Sequence, residues 1–552
     1  MKKVTILIAL IWAVNFLYAQ QIQQPLNKIA QKGSLYDAQF STDGNLSLVY
    51  GFMAKKEHKF INYEFDPSLK LLKEEESAEP YTTSKLKDQP LIQYEYIRTY
   101  VGGCSSFDVL SMDLHVSKVE VTKTWDNKRS EYKVAVTENE IGSGKDGKFN
   151  YKGYVGYYDA ETGANLVLVK EKEKGSDDGA VYKLATITLD SKVTEIPIGD
   201  LAKYTLVYSA LVKKNPGVAD KYDEKNLAEY NALFIFAPFK GCPADPKDFV
   251  ALMVDGTGKT VFKTTITMPL IATTLIEMIQ EGEDLYFFGL TSTGNGSHYR
   301  YEFMDYSNIS NPCYPDFYNY RDNQRETDVT KCEASNLILM KMTGDKLVYI
   351  TTTPTESLQA KKVVPPSVKK APKAPFSRFS INAFELIDNG DLLVTGQKKV
   401  IIMLDGTSRW AYEDITCFHF DKSGNLRAEY CIEPALPTQK NDKIFKMMQE
   451  FVLSGDKNSV HWIVYEPEGR TGYANYSDFY NGRESYYAGF VPEIFKIDLK
   501  EAKLHDPVLP LGQEYLIYGQ LPYITKENSS EVIFLGHTRK DDSLGLTKYD
   551  FK

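Results

Sequence analysis

The sequence predicts an all-β chain built from about eight repeats of one small antiparallel sheet. Three observations carry that expectation. Hairpin-like segments recur at similar length. Tyr (38) and Phe (28) are abundant, and such residues suit pleated, half-buried surfaces. The chain of 552 residues also exceeds a single compact core, which rarely grows past roughly 250–300 residues.

The repeat is visible in three stretches. Residues 40–51 read FSTDGNLSLVYG, 278–289 read MIQEGEDLYFFG and 384–396 read FELIDNGDLLVTG. Each has an apolar arm, an acidic-Gly turn (Gly44, Gly282, Gly390), a Leu and a closing Gly (Gly51, Gly289, Gly396). Gly, Asn and Asp tolerate the positive φ of tight turns, so each stretch predicts a hairpin. A second hairpin follows each, at 60–73, 337–350 and 415–430. Weaker copies lie near 92–138, 151–197, 203–267, 445–508 and 514–551.

Two hairpins in succession form a four-stranded sheet, which needs neighbours to cover its faces. Radial stacking of such sheets supplies them. By this pattern the chain resembles the β-propeller superfamily, and more narrowly a group of exported propellers from Bacteroidota. The resemblance rests on repeat shape and implies a fold, not an active site. It gives a single propeller of about seven or eight four-stranded blades over 36–552,. Residues 20–35 form a linker whose segment near 22–34 is expected to supply the last blade's missing strand and close the ring. The alternative fold is a pair of β-sandwich domains.

Residues 1–19 read as a secretory signal. Lys2 and Lys3 precede an apolar run over 4–17, and Ala19 suits cleavage,. The run is short for a spanning helix of about 20 residues. The expected product is exported, to the periplasm or the cell surface, and is not an integral membrane protein after cleavage. The formal charge of −9 becomes two units more negative without Lys2 and Lys3. With no long basic run outside the Lys/Pro segment 361–375, nucleic acid is not an expected partner,. A monomer is expected.

Six Cys allow disulfides in an exported chain,. Cys313 and Cys332 flank one insertion and are candidates to staple it. Cys417 and Cys431 lie on opposite arms of a predicted hairpin, on a diagonal. The alternative for these is buried free thiols.

Strand order predicts where function sits. Turns joining strands one and two, and three and four, are short. Long insertions at 290–334, 397–413 and 467–489 join strands two and three, and 352–379 joins two blades. All should leave the same face, around the mouth of the central channel, where binding loops belong. Candidate ligand-binding residues there are Tyr306, Tyr314, Tyr318, Arg409, Trp410, Tyr476, Tyr480, Arg483 and Tyr486, since rigid aromatics with polar tips suit binding surfaces. They would otherwise pack down to hold their own loops. The Lys/Pro segment reads as an extended, unpaired connection.

Catalytic motifs are missing. DGTGKT at 255–260 has Met253 where a phosphate-binding loop needs Gly, so it reads as a turn,. There is no GxSxG, no HExxH and no EF-hand spacing,. No catalytic residue, metal or cofactor is therefore assigned. The sequence favours a non-catalytic binding or scaffold module with a protein or glycan ligand. The alternative is a glycan- or peptide-processing hydrolase with a carboxylate-lined channel. Two or three Asp or Glu converging at the channel, one desolvated, distinguish the hydrolase. An apolar, carboxylate-poor face distinguishes the binding module.

Overall fold

In the computed structural model, the described residues are 21–551 apart from 55–56, 81–89, 102–113, 127–130, 144–151, 173–179, 200, 202–203, 239–246, 270–272, 292–335, 369–378, 405–406, 433–446, 468–489, 513–514, 518–522, 526–529 and 539–542. They fold as an all-β, propeller-like series of antiparallel sheets, most of them four-stranded. Sheet I comprises Ser34–Phe40, Leu46–Met53, Glu57–Phe65 and Leu71–Pro80. Sheet II comprises Ile92–Val101, Leu114–Asp126 and Glu131–Ser143. Sheet III runs from Lys152–Tyr158 to Val193–Pro197, and sheet IV from Tyr204–Lys213 to Thr260–Met268. Sheet V comprises Thr273–Glu281, Asp284–Thr291, Asn336–Thr343 and Lys346–Pro354. Sheet VI comprises Phe379–Leu386, Leu392–Leu404, Thr407–Phe420 and Leu426–Ile432. Sheet VII comprises Met448–Leu453, Ser459–Pro467, Phe490–Asp498 and Lys503–Leu504. Sheet VIII holds Tyr515–Leu516, Tyr523–Thr525, Glu531–Thr538 and Ser543–Asp550.

The local rules work as the sequence implies. Gly44, Gly282 and Gly390 take positive φ at their turns. The DGTGKT segment is also a hairpin turn. Asp255 Oδ1 accepts from the backbone N–H groups of Thr257 and Lys259, and Gly258 takes φ +82°. Asp66 and Asp421 cap the equivalent turns of sheets I and VI in the same way. Here a short carboxylate supplies acceptors for amides that a tight turn leaves unpaired.

Consecutive sheets share cores. Phe288 of sheet V packs on Phe379, Phe384 and Phe418 of sheet VI. Val464 and Trp462 of sheet VII join Cys417 and Tyr430 of sheet VI. Leu544 and Leu546 of sheet VIII join Leu48 and Tyr50 of sheet I. The N-terminal strand Gln21–Pro25 pairs antiparallel with Ser543–Asp550, Gln21 opposite Thr547. It is shorter than the predicted segment. Pro25 ends it, and Asn27 caps a short helix, α1 (Lys28–Lys32), whose Ile29 and Ala30 are buried in the same core,.

The structure corrects three expectations. Cys417 and Cys431 are free thiols. Cys417 pairs with Tyr430, and Cys431 with Thr416. Cys431 follows Tyr430 and so points to the other face of the sheet, where no bridge to Cys417 can form. Arg409 and Trp410 lie on a strand, not on a loop. The second and third strands of sheet VI run on as a ribbon, with Trp410 opposite Ile401 and Arg409 opposite Ile402. The Lys/Pro segment is not wholly unpaired. Lys362–Val363 pairs parallel with the outer strand of sheet VI, and the Ser367 amide donates to Asp506 at 2.8 Å. An open sheet edge attracts a strand in this way.

At Gly396 there is no room for a side chain. A Cβ there would lie 2.1 Å from the Ser380 carbonyl oxygen and 2.8 Å from the Phe379 ring. Gly396→Ala is expected to cost on the order of 2–4 kcal/mol, because backbone must move to admit the methyl group. Urea denaturation measures it, and an unchanged midpoint would show that the strand has room.

Candidate functional site

The first strands of sheets IV, V, VI and VII lie side by side in that order. Three of them carry a β-bulge near their starts, at Val207, Ile276 and Asn382. A bulge breaks the alternation of faces and re-aims the residues after it. In sheet V the residue re-aimed is Glu277.

A cavity of about 350 Å³ sits between the first strands of sheets V, VI and VII. Its described lining comprises Glu277 and Ile279, then Ile381 to Glu385, then Gln449 and Glu450. Three carboxylates thus come from three neighbouring strands, and the described lining holds no Lys, Arg or His. Gln449 and Glu450 open their strand at the end from which residues 468–489 depart.

The surroundings of the three carboxylates differ. Glu385 keeps surface open to water, yet partial burial at the cavity desolvates its carboxyl and raises it. Glu450 accepts a hydrogen bond from the Tyr465 hydroxyl. Burial and the Glu450 carboxylate push that phenol far above its ordinary value, and they push Tyr523 of sheet VIII up to about 12. On the other side, burial and then Glu277 raise Tyr208 of sheet IV well above its ordinary value.

Two amides stand at the cavity wall. Gln449 is 8% exposed. Its Oε1 accepts from Trp462 Nε1 at 3.2 Å and from the Thr395 hydroxyl, while its buried Nε2 has no acceptor. Indole N–H can only donate, which fixes the amide this way round. Asn382 Nδ2 donates to the Met447 carbonyl, and its buried Oδ1 has no donor.

A second acidic pair is buried on neighbouring strands of sheet VII. Glu466 and Glu493 are each 1% exposed. Glu493 pairs with Val464 and Glu466 with Val491, so the two share the face turned toward sheet VI. Burial and then the Glu466 charge push Glu493 up to about 8. Among the described residues, no group of three or more His, Cys, Asp or Glu could hold a metal ion. His419 is structural: it bonds Asp391 and Tyr430, both at 2.9 Å, inside the sheet VI–VII core.

Tyr306, Tyr314, Tyr318, Tyr476, Tyr480, Arg483 and Tyr486, with Cys313 and Cys332, lie outside the described residues, as does the signal segment. Of the candidate ligand residues, only the strand positions of Arg409 and Trp410 are placed. The three glutamates do not stand out in the sequence. Their signal is a lone Glu in the apolar first arm of three consecutive units: LIEMI, AFELI and MQEFV.

These features define an all-β, propeller-like protein with a carboxylate-lined cavity among its innermost strands. Solved structures with a similar trace include a lignostilbene dioxygenase of Pseudomonas brassicacearum, 12% identical, TM-score 0.32, covering 83% of this chain and 86% of that one. An α-L-arabinanase of Penicillium chrysogenum is 10% identical, TM-score 0.25, over 72% and 95%. An α-L-arabinofuranosidase of Fusarium graminearum is 9% identical, TM-score 0.24, over 72% and 93%. No family model and no curated protein matches the chain. The expected non-catalytic module with a carboxylate-poor face is corrected: three glutamates line this one cavity. Likeness this distant transfers no chemistry, so any reaction assigned to this chain must rest on its own carboxylates.

Among the described residues no helix is long and apolar enough to cross a membrane.

Proposed function

We propose that the chain is an exported glycan-processing hydrolase, an eight-bladed wheel closed by strand Gln21–Pro25 and working in the cavity between sheets V, VI and VII. One observation carries this reading. Glu277, Glu385 and Glu450 surround a single cavity of about 350 Å³ in unlike environments. Glycoside hydrolysis needs two carboxyl groups with different roles, one giving a proton and one activating water or attacking the sugar.

Glu385 suits the acid. Desolvation raises its carboxyl, which favours the protonated form that a departing glycosidic oxygen needs,. Glu450 suits the base or nucleophile, since it already receives a hydrogen bond from Tyr465 and is oriented by it. The bond between the anomeric carbon and the glycosidic oxygen breaks. Water supplies the new oxygen, and its remaining proton returns to the carboxylates. Glu277 flanks the pair from sheet V.

The experiment is a panel of neutral glycans incubated with the purified full chain, read by release of reducing ends. Turnover that is lost in Glu385→Gln supports the reading. Absence of product from every glycan, or equal product from that variant, removes it.

A further inference from the structure

The cavity wall holds one buried donor without an acceptor and one buried acceptor without a donor: Gln449 Nε2 and Asn382 Oδ1. Such orphans are uncommon in native interiors, because each costs about 1–3 kcal/mol. Neither amide can turn over to cure the defect. Trp462 and Thr395 hold the Gln449 oxygen, and the Met447 carbonyl holds the Asn382 nitrogen. Both residues line the cavity.

Their placement narrows the ligand. Asn382 stands on the first strand of sheet VI and Gln449 on that of sheet VII, with the Asn382 amide tied to Met447 just before that strand, so the two anchors are separate groups on neighbouring strands. A hydroxyl offers its donor and acceptor from a single oxygen. A secondary amide offers a carbonyl oxygen at one end and an N–H at the other, and so bridges two separated partners. Charge narrows it further. Three glutamates line the cavity without a basic side chain among the described lining, which repels uronic acids and sulfated sugars.

We propose that the cavity contains a subsite for the N-acyl group of an uncharged amino sugar, with its carbonyl accepting from Gln449 Nε2 and its N–H donating to Asn382 Oδ1. The apolar side chains of Ile381 and Phe384, which also line the cavity, suit the acyl methyl. This rests on the glycan-hydrolase reading and adds its substrate class. A peptide also carries amides. The sugar is favoured because paired glutamates in unlike environments suit glycosidic chemistry.

The test is calorimetric binding to the full-length Glu385→Gln variant with four probes: N,N′-diacetylchitobiose, chitobiose, cellobiose and the dipeptide Ala-Ala. The acetylated disaccharide should bind at least about tenfold more tightly than the other three, one good hydrogen bond's difference. Adding Gln449→Met or Gln449→Glu should erase that preference. The Met variant removes the donor without adding charge, the Glu variant keeps an acceptor for Trp462 but brings a carboxyl, and thermal melts report folding of both. Equal binding of acetylated disaccharide and cellobiose overturns the subsite. So do tighter binding of cationic chitobiose, preference for the dipeptide, or an unchanged preference in folded Gln449 variants. Acetyl-dependent binding with no turnover by the wild-type chain leaves the subsite standing and removes the hydrolase. Turnover without acetyl preference does the reverse.

Discussion

Replacing Glu385 or Glu450 with Gln is expected to lower glycan turnover by about 10²–10⁴-fold, with little change in melting temperature. Gln preserves size at both sites, so packing changes little. At position 385 the proton for the leaving oxygen is lost. A glycoside whose leaving group needs no protonation, such as a nitrophenyl glycoside, should recover most of the rate in Glu385→Gln and none in Glu450→Gln. The pH profile gives a second readout. Glu385 must hold its proton to act, and desolvation raises its carboxyl. The alkaline limb of activity should therefore lie above the usual carboxylate range and vanish in Glu385→Gln. Tyr465→Phe removes the hydrogen bond to Glu450 and should reduce kcat more than KM, since it disturbs orientation and not binding. If both glutamine variants keep wild-type turnover on a hydrolysed glycan, the cavity is not where the reaction happens.

The second large effect is on stability. Glu493 is buried beside Glu466, and its carboxyl is pushed up to about 8 by burial and then by that neighbour. Unfolded, the same carboxyl titrates near its ordinary value of 4.5. Between those values the native chain binds more protons than the unfolded chain, so stability falls as pH rises. The stability that protonation gives is fully present below about 4.5 and lost as pH climbs through about 8. Glu429 adds to the same slope: burial raises it to about 7. Glu493→Gln should stabilise the chain by on the order of 2–4 kcal/mol at pH 8 and by little at pH 4.5. Urea melts at the two pH values test this. A stabilisation of equal size at both would mean that packing, not charge, explains it.

The parts of the fold that local chemistry fixes were legible. Acidic-Gly turns, apolar arms and the regular recurrence of paired hairpins located the sheets and the short turns, because positive φ and side-chain alternation leave their mark within a dozen residues. The insertion expected at 397–413 carries a local mark of its own true structure: Asp405-Gly406 between apolar arms is a hairpin sequence,, and the segment is a ribbon carrying Arg409 and Trp410. For Cys417 and Cys431 the diagonal offset was already readable. Its consequence, side chains on opposite faces, follows from the register.

What one sequence settled by itself was that this chain builds repeated antiparallel sheets, since a hairpin is a local agreement between turn and arms. Tertiary structure alone decided where its chemistry lies. Glu277, Glu385 and Glu450 are separated by more than sixty residues at each step, and no local rule relates them. They meet because the first strands of sheets V, VI and VII stand side by side. Bulges at Ile276 and Asn382 break the alternation of faces in sheets V and VI, and the surroundings of the carboxylates differ: desolvation raises Glu385, while Glu450 accepts a hydrogen bond from Tyr465.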